Sequence, residues 1–556
     1  MKAHLGPTSH RISVESKSTR ESTAHGVKKG PGDPTNGYAV VQVDKTQVES
    51  SDCASTIHIW ALGVVAVIGG QYYGWNASYA SGFVPFFCAQ LMMGTAYVVY
   101  VACISEVGGK VPGGSYGLAR AVLGFYPGFV LGCLEILEYT SFASVSVLYV
   151  VGFATDYFGW NPSYQPLLWF LFYAVFIVLL ESKGRYVWRF MLVFVVLCLL
   201  PSVLYVFGSI CYMDLKTNGA LIDLDTNATT WATGDLGSAF FSLLPSTTVA
   251  YGGIESLTVV TGFAKDPAYF IPKATVAAVW TLFVSNIALV LVAAALPPGL
   301  DTTASDGYFL DRGLNLAFGF SSDLSEWLMI PAQMGMAFGF FIPYARLTQA
   351  MADSNLLPAF IRVKGQKTTR RAMIVSSAFG YFLCLISYFS PEFEATLQNI
   401  SIVAASICYS SQTYGYVLLR TSYKIETTGY KSPYGLVGAY YVWFVSFLLF
   451  LSIAGGFQGD DGIAILSTIV FLAVMSIYYR FGCQATQTVS QEEYASIFRF
   501  SVMKFNRLRQ KKKTSGGRTS QLSRLSLLIL SKKTSIAPIA AGGGNSGKSQ
   551  RSNSKK

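Results

Sequence analysis

Three glutamates stand inside runs of mostly apolar residues. Glu135 and Glu138 fall in LGCLEILEYTSFAS (131–144), and Glu255 falls in AYGGIES (250–256). A carboxylate at mid-membrane depth is costly and marks a substrate or ion path. Glu135 and Glu138 are three residues apart, so they share one helical face. Glu138 is a natural partner for a primary ammonium, and Glu135 and Glu255 are candidates for carrying a coupling proton. The competing reading is an acid hydrogen-bonded to a neighbouring helix or, for Glu255, one that ties loose backbone amides.

The backbone around these acids is interrupted. IWALGVVAVI (59–68) reads as half of a membrane helix, but GGQYYGWNAS (69–78) follows it. A second interruption lies at 250–256, five spans later. Backbone freed from a helix in the bilayer must be satisfied by protein or must line a water-filled cavity. A pair of glycine-broken spans is therefore a pointer to a binding site. The candidate substrate-binding residues are Gly69, Gly70, Gln71, Tyr72 and Trp75 at the first break, Tyr251, Gly252 and Gly253 at the second, and Glu138. Tyr72, Trp75 and Tyr139 could surround an ammonium as a cation–π cage, with Tyr251 closing over it.

These residues need a membrane scaffold, and the composition supplies one. The chain has 556 residues, 52% hydrophobic and 13% charged, with a mean hydropathy of +0.42. Its apolar residues form blocks of roughly 20, the length that crosses a bilayer. Twelve blocks are read between residues 57 and 480. Residues 1–56 read as a disordered tail, and 481–556 as a basic tail. In that second tail Ile497, Phe498, Val502, Phe505 and Leu508 alternate with basic residues, a spacing that suits an amphipathic helix on anionic lipid.

The net charge of +11 is not a nucleic-acid footprint, because it segregates loop by loop. Lys110, Arg120, Lys183, Arg185, Lys265, Arg346, Lys364 and Arg420 lie in one set of loops. Asp223, Asp301, Asp306 and Asp460 lie in the other, with only Lys216 and Arg312 as basic company. The positive-inside rule then puts both termini in the cytoplasm, and the plasma membrane is the expected location. All four histidines precede residue 59 and most of the nine cysteines lie inside spans, so neither a metal site nor a disulfide framework is expected. An Asn227 sequon falls in an outer loop and is a glycosylation candidate. No phosphate loop or nucleophile elbow appears; an enzyme is not expected, nor is a cofactor, and the coupling ion, proton or sodium, stays open.

Four further segments carry a resemblance: PGGSYGLARAVLGFYPGF (112–129), FAKDPAYFIPKA (263–274), ARLTQAMADSNLLPAF (345–360) and SPYGL (432–436). In this order they resemble the loops of the amino acid–polyamine–organocation (APC) transporter superfamily over about residues 57–480. The resemblance implies an all-α membrane fold of twelve helices: a 5+5 inverted repeat with helices 1 and 6 broken, plus two extra helices. It implies alternating access around a site lined by spans 1, 3, 6, 8 and 10. VIGGQYYGWN and the Leu-Glu-Tyr at 137–139 are similar to the ethanolamine-permease branch. Bulky residues replace the small ones that hold a substrate carboxylate in amino acid permeases, so ethanolamine is the first substrate expected. A neutral or cationic amino acid is the second, and a nutrient sensor that kept the transporter fold is a further alternative.

Overall fold

A computed structural model describes residues 53–514, apart from 109, 110, 112, 183, 223–227, 265, 363–366, 424–428 and 458–461. Asn227, Lys110, Lys183, Lys265, Lys364, Asp223, Asp460, residues 1–52 and everything beyond Thr514 lie outside the described residues.

The chain begins with α1 (Thr56–Val67), then α2 (Phe83–Gly108), the short α3 (Gly114–Val122), α4 (Phe125–Phe158), α5 (Gln165–Leu180) and α6 (Gly184–Ser209). The one-turn α7 (Leu215–Asn218) and a two-residue antiparallel ribbon, Leu221–Ile222 with Thr229–Thr230, precede α8 (Leu236–Val249) and α9 (Pro267–Ala295). The short α10 (Leu300–Ser305) and α11 (Leu310–Phe318) lead to α12 (Ser322–Gly339) and α13 (Phe341–Asp353), which meet at Phe340. The remaining helices are α14 (Lys367–Phe389), α15 (Phe393–Leu418), α16 (Gly435–Ala454), α17 (Ile463–Tyr478) and α18 (Gln491–Thr514).

Among the described residues, nine helical segments are long and apolar enough to cross a membrane. Three of the twelve apolar blocks fall short for identifiable reasons. Helix α1 stops after 12 residues and α8 after 14; a tight 3₁₀ turn, Ile68–Gln71, holds the glycine pair at the first break, and another, Ile254–Thr258, follows the pair at the second. Helix α15 is 26 residues long but buries Ser401, Ser406, Tyr409, Gln412 and Thr413, too polar a face for a lipid-facing span. Helix α4 has 34 residues, about 50 Å at 1.5 Å per residue, so it reaches beyond the hydrocarbon at its ends.

Burial follows position in the bundle. Helices α1, α4 and α15 are mostly enclosed. The outer helices turn apolar side chains outward: Val178, Val196, Phe207, Ile469 and Val474 are all more than half exposed. Such a belt fits lipid as its solvent. The ends of the two broken segments meet on one face. There Ala54, just before α1, donates its N–H to the carbonyl of Phe263 at 2.8 Å, and Ala54 pairs with Ala264 as an isolated parallel bridge.

Candidate functional site

The second break is built by two residues. Gly253 has φ +91°, a conformation open to glycine but costly for a residue with a Cβ. A Cβ on Gly253 would also run into the Phe340 ring. The turn therefore packs against the α12–α13 joint, and its own N–H points the other way. That N–H donates to the Tyr409 hydroxyl at 3.0 Å, which in turn donates to Glu138 Oε1 at 2.7 Å. One tyrosine of α15 thus links the broken segment to the acid of α4.

Glu138 and Glu255 come together here. The Glu255 carboxyl lies beside those of Glu138 and the hydroxyls of Tyr409 and Tyr139, and both acids are fully buried. Glu138 Oε2, both Glu255 carboxyl oxygens and the Tyr97 hydroxyl find no hydrogen-bond partner among the described residues. No Lys or Arg among those residues forms an ion pair with either acid. Buried polar groups are almost always paired, and two adjacent carboxylates in a low dielectric do not both keep their charge unaided. The arrangement has room in its chemistry for a cation or a shared proton.

Tyrosines wall the acids. Tyr97 stacks on Tyr251 at 5.3 Å and meets Tyr409 edge-on at 5.7 Å, while Tyr100 lies 4.9 Å from Tyr409. Tyr139 stacks on Phe340 at 5.6 Å. The Tyr251 hydroxyl accepts from Asn286 Nδ2 at 2.9 Å. Tyr100 donates to Gln412 Oε1 at 3.0 Å, and Gln412 Nε2 donates to the Ser115 hydroxyl at 2.5 Å. Gly252 is needed for space, since a Cβ there would sit 3.0 Å from the Phe142 ring.

The side chains of the first break are bonded to neighbouring helices. Gly70 lets its backbone touch the Val249 carbonyl at the end of α8, and a Cβ on Gly69 would lie 2.9 Å from the Ala332 carbonyl of α12. Gln71 Nε2 donates to the carbonyls of Leu282 at 2.9 Å and Ala250 at 3.3 Å, and its Oε1 accepts from Ser285 at 2.6 Å. Tyr72 donates to the Cys198 carbonyl at 2.7 Å and accepts from the Ser202 N–H at 3.1 Å. It bridges the hydrogen-bond ladder of α6 where Pro201 interrupts it. Trp75 donates to the Gln71 carbonyl at 2.7 Å and packs between Phe86, Tyr79 and Phe309.

Glu135 serves a turn. Its carboxyl accepts from the N–H groups of Ser115 at 3.2 Å and Tyr116 at 3.3 Å, and from the Tyr139 hydroxyl at 3.0 Å. It caps the start of α3, an N-terminus that favours an anion, and Gly114 (φ +59°) leaves the space that the carboxyl fills. We expect Glu135→Gln to lower stability by about 1–3 kcal/mol, the cost of weakening buried charge-assisted bonds. A thermal-shift measurement on purified protein checks this; an unchanged transition would contradict the capping role.

Sequence reasoning missed Tyr97, Tyr100, Tyr409 and Gln412. The available signal was spacing: Tyr97 and Tyr100 share a face of α2, as do Tyr409, Gln412 and Thr413 on α15.

A many-helix membrane scaffold with two glycine-broken segments and a buried acid pair defines a transporter-type architecture. The amino acid permease family model matches residues 61–481, and the chain belongs to that family, whose members are transporters and not enzymes. It is an integral multi-pass membrane protein. It is 20% identical over 372 residues to a probable threonine/serine transporter of Bacillus subtilis, covering 63% of this chain and 77% of that one. It is 21% identical over 347 residues to a probable GABA permease of Pseudomonas aeruginosa, covering 60% and 72%. A stretch of 259 residues, 43% of this chain, is 26% identical to an uncharacterized transporter of Rhizobium meliloti, and spans about half (52%) of that relative's length.

Proposed function

We propose that this permease moves a small primary amine, ethanolamine first, across the plasma membrane by alternating access. The observation that carries the reading is the pair Glu138 and Glu255, of which Glu138 Oε2 and both Glu255 carboxyl oxygens have no donor among the described residues, in a cage of tyrosines. An ammonium supplies both the missing charge and three N–H donors. Its arrival displaces a proton held between the acids, which couples uptake to protons.

Among the described residues the amides of the second break are already engaged, which favours an amine over an amino acid whose carboxylate would need them. At the second break the N–H groups of Tyr251 and Gly252 go to the Thr248 carbonyl, that of Ile254 to Tyr251, and that of Gly253 to Tyr409. Gln71, at the first break, is engaged with backbone. The second reading, a neutral amino acid, is favoured by the names of the Bacillus and Pseudomonas relatives.

The fuller architecture is part of the proposal: twelve spans, with α1–α6 and α8–α15 supplying two inverted five-span repeats and α16 and α17 the extra pair. The equivalent breaks after Val67 and Val249 support it. Cytoplasmic termini follow from the basic loops on the α3 side. Tyr494, Phe498, Val502 and Phe505 form an exposed stripe on α18, suited to lying on anionic lipid.

Uptake of radiolabelled ethanolamine into proteoliposomes, with unlabelled ethanolamine, alanine, threonine, GABA or arginine as competitors, tests the substrate. Ethanolamine is expected to compete at least tenfold better than any amino acid. Competition by alanine or threonine without competition by ethanolamine would replace the first reading with the second.

A further inference from the structure

We propose that the cavity between the end of α2, the end of α15 and α18 binds the headgroup phosphate of an anionic phospholipid. The cavity measures about 150 Å³, room for roughly ten waters and so for a phosphate group with the carbons next to it. Val107, Val111, Leu419 and Phe500 give it an apolar wall, and Arg420 and Arg499 give it two guanidinium groups. The ligand that suits both is an anion carrying hydrocarbon.

Glu106, the acid in the lining, leaves that positive charge in place. It is 4% exposed, and four donors hold it: Arg420 Nε at 3.1 Å and Nη2 at 2.6 Å, the Ser432 N–H at 2.9 Å and the Tyr416 hydroxyl at 3.3 Å. These bonds fix the plane of the Arg420 guanidinium and leave its Nη1 without an acceptor among the described residues. Arg499 is exposed and forms no ion pair among those residues. Two arginines against one glutamate leave the lining with a charge of +1. The spare N–H groups match phosphate oxygens, which a guanidinium grips in pairs.

The placement on α18 favours a lipid over a free anion. At about 100° per residue, Tyr494, Phe498, Val502 and Phe505 fill one sector of the helix, Ala495 and Arg499 the next, and Ser496 and Phe500 the one after. The first sector is exposed and apolar, and the other two line the cavity. Arg499 therefore stands on the border between a face suited to the bilayer surface and the cavity itself. In the orientation proposed above, that border meets the inner leaflet, whose anionic headgroups attract basic side chains. Phe500, 4% exposed and edge-on to Tyr423 at 5.7 Å, backs the cavity on the protein side. A phosphate held by Arg420 and Arg499 joins the turn after α15 to α18.

The test needs neither the substrate nor the orientation, so it can fail while the transport reading stands. The full chain in detergent micelles is given phosphatidylserine or phosphatidylcholine, with or without inorganic phosphate, and retained lipid is counted by native mass spectrometry. Phosphatidylserine is expected to be retained at least fivefold more than phosphatidylcholine. Arg499→Ala is expected to cut that retention at least fivefold. Ala495→Trp, which fills the cavity and keeps both arginines, is expected to do the same. Both positions are exposed, so both variants keep the thermal transition of the parent without added lipid. Arg189→Ala, which removes an exposed arginine from α6, leaves retention unchanged. Equal retention of the two lipids, or of phosphatidylserine by the parent and Arg499→Ala, would overturn the site. Equal losses from Arg499→Ala and Arg189→Ala would also overturn it, as a general effect of surface charge. Displacement of phosphatidylserine by inorganic phosphate would overturn the lipid and leave a site for a free anion.

Discussion

Replacing Glu138 by glutamine is expected to abolish the proposed ethanolamine uptake while leaving the protein folded and inserted. Glutamine keeps the volume and can still accept the hydrogen bond that Tyr409 donates at 2.7 Å, so the link through Tyr409 to Gly253 survives. What disappears is the negative charge in a place with no other counter-charge for an ammonium except Glu255. Leaving a buried charge without its partner costs about 3–5 kcal/mol, which is roughly two to three and a half decades in affinity. The expected record is a fall of at least 100-fold in ethanolamine uptake from proteoliposomes, with reconstitution and thermal stability near those of the parent. Uptake within threefold of the parent would remove Glu138 from the site.

The next largest effect falls on the backbone. Gly253→Ala forces a Cβ onto φ +91°, which costs about 1–2 kcal/mol by itself, and drives the methyl into the Phe340 ring. Relief requires the turn to shift, which disturbs the Gly253 N–H bond to the Tyr409 hydroxyl and, through it, the hold on Glu138. Transport is expected to fall more than tenfold, with a lowered thermal transition. Gly252→Ala is the internal comparison. Its added Cβ meets the Phe142 ring at 3.0 Å, and Gly252 carries no positive φ. It should cost less in both measurements. Equal losses for the two variants would show that crowding, and not the left-handed turn, governs the break.

The parts of the site that could be read from sequence were those that violate the chemistry of a membrane span. Glu138 and Glu255 stand out because an acid in an apolar run has few explanations. Gly252–Gly253 stands out because it interrupts a helix. Tyr97, Tyr100 and Tyr409 do not stand out, since the chain has 33 tyrosines and a tyrosine in a span is as well placed against a headgroup as in a cage. Only their convergence from α2 and α15 gives them meaning. Gln71, Tyr72 and Trp75 illustrate the converse. Their polar atoms within a broken span point to a ligand when read along the chain. In three dimensions they bond to carbonyls of α6 and α9, of Ala250 just after α8, and of the break itself. Glu135 belongs with them: its position one turn from Glu138 makes it look like a second functional acid, and the α3 turn that uses it comes from a loop that sequence spacing does not position.

The fold as a whole was more legible than its site, because blocks of apolar residues separated by basic or acidic loops directly reflect the bilayer. Helix α15 was the least transparent of them. Its buried serines, Tyr409 and Gln412 dilute its apolar character, and that dilution is the mark of a helix that faces the centre of the bundle.

The short main-chain bridge between Ala54 and Ala264 yokes the leading end of α1 to the trailing end of the segment after α8. With the Ala54 N–H bound to the Phe263 carbonyl at 2.8 Å, one broken segment cannot tilt at that face without dragging the other or severing the bond. The two broken segments share a backbone contact at that end, so a displacement of either one strains the other.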